Sequence, residues 1–129
     1  MTLAIAFDMD DTLLSDERQI TPYTLNVLRR AADKGIRIIP ASGRARGSMI
    51  GFVEQIGCAD AFVSCNGAEV YSPRGELWKR EAFTVEQAKR CAAFAQDAGC
   101  YVQCYYDDHF FYAGGKEWAD AYASATLLT

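Results

Sequence analysis

The sequence predicts an α/β fold with a parallel sheet at its centre. Between residues 3 and 65, short apolar runs alternate with helical segments as strand, helix, strand, helix, strand, the order of a parallel sheet joined by right-handed crossovers. Polar clusters at Asp8–Thr12, Ser42–Arg44 and Asn66-Gly67 each follow a strand directly. They should therefore converge on one edge of the sheet, where ligands of such folds sit. The composition suits one compact unit: 129 residues, half of them hydrophobic and 23% charged.

Each element has a local reason. Leu3 to Phe7 is a continuous apolar run, as expected of a strand covered on both faces, and it stops at Asp8-Met9-Asp10-Asp11-Thr12. Thr21 followed by Pro22 opens a helix through Leu25, Leu28 and Ala32 that Gly35 ends. Ile36 to Ala41 is the second strand and Ser42-Gly43-Arg44 the turn after it. A second helix carries Met49, Ile50, Val53 and Ile56 and stops at Gly57, and Ala61 to Cys65 is the third strand. Asn66-Gly67 then predicts a tight hairpin into Ala68 to Tyr71. Ser72-Pro73-Arg74-Gly75 is a further turn, with Glu76 to Arg80 as its return strand. Thr84-Val85-Glu86-Gln87 reads as a capping box for a helix ending at Gly99. Tyr101 to Tyr106, the turn Asp107-Asp108 and Phe110 to Ala113 form an aromatic hairpin, for which core packing is the preferred role over substrate contact. From Lys116 onward the chain is helical, with Trp118, Tyr122 and Ala125 as its apolar face.

Composition also excludes functions. The chain is too apolar for a disordered tail, and no apolar run approaches the roughly 18 residues a membrane span needs. Thirteen Lys and Arg against seventeen Asp and Glu leave a net charge of −4, which argues against a sequence-blind nucleic-acid binder. Met1 to Phe7 carries no basic leader, so the expectation is a cytoplasmic protein without a signal peptide. Cys58, Cys65, Cys91, Cys100 and Cys104 form an odd set without knuckle spacing and read as reduced thiols. For Cys100 and Cys104, small core residues are a better reading than a zinc site completed by His109.

The chemistry concentrates at the first polar cluster. Asp8 and Asp10 lie where the chain leaves the extended conformation, so both carboxylates can serve one site. Clustered acids favour a cation among them, and magnesium takes such hard oxygen donors. Thr12 and Ser42 add hydroxyls, and Arg44 adds a fork suited to phosphate or carboxylate. Two readings fit the isolated pattern: a solvated acidic turn, or phosphoryl transfer through an aspartyl-phosphate. In the second, Asp8 attacks phosphorus, while Asp10, kept protonated by its surroundings, donates to the leaving oxygen and then activates water.

Ala4-Ile5-Ala6-Phe7-Asp8-Met9-Asp10-Asp11-Thr12-Leu13 resembles the first motif of the haloacid dehalogenase superfamily, an apolar strand followed by Asp-x-Asp-x-Thr. Ile36 to Arg44 resembles its second motif, an apolar strand ending in Thr or Ser, here Ser42. The Ser42-Gly43-Arg44 form and Asn66-Gly67-Ala68 are similar to the Cof-type capped branch, mostly phosphatases of sugar phosphates and other small metabolites. The resemblance implies a Rossmann-like core, with residues 1–80 as its N-terminal half and 81–129 as part of a mixed α/β cap. It implies Mg2+ held by Asp8 and by the backbone carbonyl of Asp10, Asp8 as nucleophile, and Asp10 as general acid and base. Thr12 and Ser42 would hold the phosphoryl group. Arg44 and Asn66 would touch substrate, with a helix-start surface residue and the hairpin turn itself as the plain structural alternatives.

Two further motifs of that family have no counterpart here. One supplies a Lys for the phosphoryl oxygens, and the other supplies acids that complete the magnesium site. Lys116 follows Gly114-Gly115 but sits beside the aromatic hairpin and is not assigned that role. The expected function is a Mg-dependent phosphatase of a small phosphorylated metabolite. The alternatives are a phosphosugar mutase using the same nucleophile, or a truncated, non-catalytic fragment. A phosphorelay receiver domain is disfavoured, because its acceptor Asp would fall where this chain has Cys65-Asn66. In the family the first strand lies mid-sheet, so here its open edge is expected to promote self-association.

Overall fold

The computed structural model describes residues 3–126. The chain divides into two compact units, Met1–Arg80 and Glu81–Thr129. The first contains β1 (Ala4–Asp8), α1 (Pro22–Asp33), β2 (Arg37–Ala41), α2 (Arg46–Ile56), β3 (Phe62–Ser64), β4 (Glu69–Tyr71) and β5 (Leu77–Arg80). These strands form one sheet in the order β1-β2-β3-β4-β5. β1, β2 and β3 run parallel, with Asp8 opposite Ala41 and Ala41 opposite Val63, while β4 and β5 are antiparallel additions. The predicted α/β class with a parallel sheet is therefore the observed one.

The local signals act where the sequence put them. Thr21 caps α1 by accepting the Thr24 N–H at 3.1 Å. Gly57 ends α2 in the left-handed region at φ 69°, a conformation glycine adopts without a Cβ clash. The core lies on one side of the sheet, where Ile38 from β2, Phe62 from β3 and Tyr71 from β4 meet Leu28 of α1 and Met49, Val53 and Ile56 of α2. Strand alternation explains this: Ile38 and Pro40 are buried, whereas Arg37, Ile39 and Ala41 between them are not.

Several expectations are corrected. β1 is not covered on both faces. It is the edge strand, bordered only by β2 among the described residues, and Leu3 and Ile5 are exposed. The β3–β4 hairpin does not turn on two residues. Ser64 pairs with Glu69, which leaves a four-residue loop, Cys65–Ala68. The reason is that the Cys65 and Asn66 N–H groups are committed to the loop after β2 and cannot serve a tight turn. The cysteines are not core residues as a group: Cys91, Cys100 and Cys104 are exposed, and Cys58 and Cys65 are half-buried.

The second unit holds α3 (Val85–Asp97), β6 (Val102–Tyr106), β7 (His109–Ala113) and α4 (Lys116–Thr126), with β6 and β7 as an antiparallel hairpin. Thr84 and Gln87 form both bonds of the predicted capping box. The aromatic set divides by strand face. Tyr105 and Phe110 meet the Tyr122 ring edge-on, whereas Tyr106 and Phe111, on the opposite face, stay exposed. On α4, Tyr122 of the predicted apolar face packs against the Tyr105 and Phe110 rings, whereas Trp118 is exposed and Ala119 and Thr126 are buried instead. The side chain of Ala125, the third member of that face, lies outside the described residues. Among the described residues no helix is long and apolar enough to cross a membrane.

Candidate active site

The parallel strands deliver three loops to one end of the sheet, as the polar clusters predicted. Asp8 is the last residue of β1 and still extended, at φ −75° and ψ 159°. Its Oδ1 accepts the Met9 N–H at 2.7 Å, which uses one of its two oxygens. The next turn closes through the Leu14 N–H on the Met9 carbonyl at 2.9 Å. Met9 is fully buried and anchors this turn, so the residues on either side of it, Asp8 and Asp10, remain exposed. Asp11 takes a positive φ of 55°, which Asp tolerates better than most residues. Thr12 lies on the same turn and is exposed.

Ser42 leaves β2 and is buried, and its Oγ accepts the Arg44 N–H at 3.2 Å. Arg44 then crosses to the first loop. Its Nε donates to Asp10 Oδ2 at 2.8 Å and its Nη2 to Asp10 Oδ1 at 2.7 Å, a bidentate pair. Arg44 is almost wholly buried, with its guanidinium 5.7 Å from the Phe52 ring centre, so the reading of a helix-start surface residue is overturned. Asn66 sits at φ 55° and donates its N–H to the Ser42 carbonyl at 3.2 Å. Its side-chain amide fills the space beside Gly43, where an added Cβ would come within 2.9 Å of Oδ1. Asp8, Asp10, Ser42, Arg44 and Asn66 are thus gathered on three linked loops.

The electrostatics correct one expectation. Asp10 is not kept protonated. The Arg44 hydrogen bonds hold its carboxyl below the ordinary 3.8, with partial burial opposing them and the charges of Arg44 and Arg18 assisting. Because the folded value is the lower one, the stability this pair contributes is present above the ordinary carboxylate range and lost as pH falls through the folded value, below 3.8. Arg44→Ala should raise the Asp10 carboxyl towards its ordinary value, followed by carboxyl-carbon NMR titration. It should also flatten the acid side of the stability profile. The thermodynamic cost should be about 1–2 kcal/mol, since the Asp10 end of the pair is half exposed.

The pairing of Arg44 with Asp10 has no local sequence signal, because the two are 34 residues apart. A second polar group also escaped sequence reasoning: Glu69, buried at the start of β4, accepts from Tyr71, Ser64 and Arg80. Donors for a metal are few. Among the described residues no three of His, Cys, Asp and Glu gather as a metal group. The Asp8 carboxylate and the Asp10 main-chain carbonyl are hard oxygen donors of the kind Mg2+ takes, but they do not by themselves complete its octahedron.

Residues 5–126 match the haloacid dehalogenase-like hydrolase family. The chain belongs to that family. It is 29% identical over 101 residues to phosphatase YwpJ of Bacillus subtilis, covering 78% of this chain and 35% of that protein. It is 34% identical over 76 residues to the 5-amino-6-(5-phospho-D-ribitylamino)uracil phosphatase YitU of the same organism, covering 59% of this chain and 28% of YitU. A solved haloacid dehalogenase-like hydrolase from B. subtilis superposes with a TM-score of 0.81 at 26% identity, covering 93% of this chain and 42% of its own. The chain therefore spans less than half the length of these relatives.

Proposed function

We propose that this chain carries the nucleophile half of a Mg-dependent phosphatase acting on a small phosphorylated metabolite through an aspartyl-phosphate at Asp8. The observation that carries this reading is the position of Asp8 at the carboxyl end of a parallel strand, in register with Ala41 and next to Ser42. The relatives named as phosphatases support the reaction type, and YitU, by its name, supports a small phosphorylated metabolite as the substrate class. An Asp8 oxygen would bond to phosphorus as the ester bond breaks, and water would then release phosphate. Thr12 and Ser42 would hold the phosphoryl oxygens by their hydroxyls, and Asn66 would contact the substrate. Asp10, ionised beside Arg44, is in the form that takes a proton from water. For it to protonate the leaving oxygen, the Arg44 fork must turn to another anion, a role the substrate's own phosphate or carboxylate can fill. Mg2+, held by the Asp8 carboxylate and the Asp10 carbonyl, would supply charge neutralisation for the phosphoryl oxygens. In this reading residues 1–80 are half of a Rossmann-like core and 81–129 the opening of a cap. The five free thiols accord with a reducing, cytoplasmic setting. Hydrolysis of an aryl phosphate with and without Mg2+ tests the proposal.

A second reading draws on the absence of a three-donor metal group among the described residues. In it, the 129-residue molecule binds a phosphorylated ligand without turning it over. Either way the outer edge of β1, which pairs with no strand among the described residues, would offer main-chain groups to a second copy. Sedimentation should then give a species heavier than the 14.3 kDa monomer. Ala4→Lys, a charge on the exposed edge strand, should shift it towards monomer. A wild-type chain that stays monomeric at high concentration removes the self-association.

A further inference from the structure

We propose that Glu69 is a positioning residue that holds the Cys65–Ala68 loop, and through it the Ser42–Arg44 loop, in the geometry of the site. The loop it serves is strained. Cys65, Asn66 and Gly67 take φ of 49°, 55° and 96° in succession, and two of the three are not glycine. Such a run persists only where its surroundings over-determine it. The loop reaches outward with two backbone donors, Cys65 N–H to the Arg44 carbonyl at 2.9 Å and Asn66 N–H to the Ser42 carbonyl at 3.2 Å. Those two bonds tie it to the residues that carry Ser42 Oγ and the Arg44 fork.

Glu69 grips the loop at both ends. It is itself the first residue after the loop, and its Oε2 accepts from Ser64 Oγ, the residue before the loop, at 3.2 Å. The same oxygen lies 3.8 Å from Cys65 Sγ, a weaker sulfur contact inside the loop. Tyr71 Oη donates to Oε2 at 2.8 Å and Arg80 Nε to Oε1 at 2.8 Å, so both carboxylate oxygens are engaged. Burial together with this carboxylate pushes the Tyr71 hydroxyl up to about 12, so it remains a donor at every physiological pH. A buried carboxylate is costly unless all its donors are present. A three-pair hairpin has no need of such a group for its own pairing, whereas a strained loop bearing site residues does.

The effect on the loops stands apart from the phosphatase reading, and only its bearing on turnover rests on it. The test is amide hydrogen exchange on the full chain, comparing wild type with Glu69→Gln and Tyr71→Phe. The Cys65 and Asn66 amides should exchange about tenfold faster in Glu69→Gln and by a smaller factor in Tyr71→Phe. The Asp60 amide, bonded to the Ile38 carbonyl at the other end of β2, should keep its wild-type rate. Unchanged rates at Cys65 and Asn66 in both variants overturn the proposal, as does an equal rise at Asp60, which would make Glu69 a general stabiliser. Tyr71→Phe removes one hydroxyl only and keeps the test decisive if Glu69→Gln does not fold. Aryl phosphate turnover by the same samples reports on the phosphatase reading separately: faster loop exchange in the variants, beside a wild-type chain without activity, leaves Glu69 established and the enzyme reading refuted.

Discussion

Asp8→Asn is expected to abolish Mg-dependent hydrolysis of an aryl phosphate, with a loss of at least about 10³-fold in kcat. The substitution is nearly isosteric, and the amide oxygen can still accept the Met9 N–H that Asp8 Oδ1 accepts now. The turn that carries Asp10 and Thr12 should therefore survive, and the lost activity reports chemistry rather than folding. In the proposed reaction, what disappears is the negative oxygen that would attack phosphorus, together with the charge it would place beside the metal. Phosphate release is measured for both proteins with and without Mg2+, beside a thermal melt. Equal rates in the two proteins remove Asp8 from the mechanism. A wild-type chain that is inactive in both conditions, yet binds a phosphate ester, favours the non-catalytic reading.

Phe62→Ala should have the largest effect on stability, about 3–5 kcal/mol. Phe62 is fully buried at the centre of the first unit's core and stacks on Tyr71 with ring centres 5.1 Å apart. Its removal leaves a cavity beneath β3 and frees the Tyr71 ring, whose hydroxyl serves Glu69. Domains of this size are stable by about 5–15 kcal/mol, so the unit would lose a large share of its margin. The urea midpoint of unfolding reads the change. Phe111→Ala is the contrast: that ring is 61% exposed, and its loss should move stability by only about 0.5 kcal/mol. Comparable costs for the two would mean that Phe62 is not the centre of the core.

Local signals in the chain proved sufficient for the elements. Thr21 with Pro22, the Thr84–Gln87 box, and Gly57 and Gly99 as stops each act within a few residues of themselves, and each lies where the helix ends are found. The apolar run before Asp8 likewise marks a strand whose end presents a carboxylate. Burial was harder to read. Leu3 to Phe7 has the composition of a central strand, but shielding its far edge needs a second neighbouring strand, and among the described residues β1 borders only β2. The cysteines show the same gap: size and polarity make them good core residues, and three of the five face solvent.

From sequence alone came the α/β alternation, the caps and stops of the helices, and the three polar clusters at one sheet edge, because each depends on chain neighbours and on strand periodicity. Only the tertiary structure decided that Arg44 grips Asp10 and keeps it ionised, that Glu69 is a buried acceptor for three side chains, and that the Asn66 loop is four residues long and bonded to the loop after β2. Those facts depend on which strands lie side by side and on where their loops meet, and a charge acquires its partner, its burial and its protonation state only when remote parts of the chain are brought together.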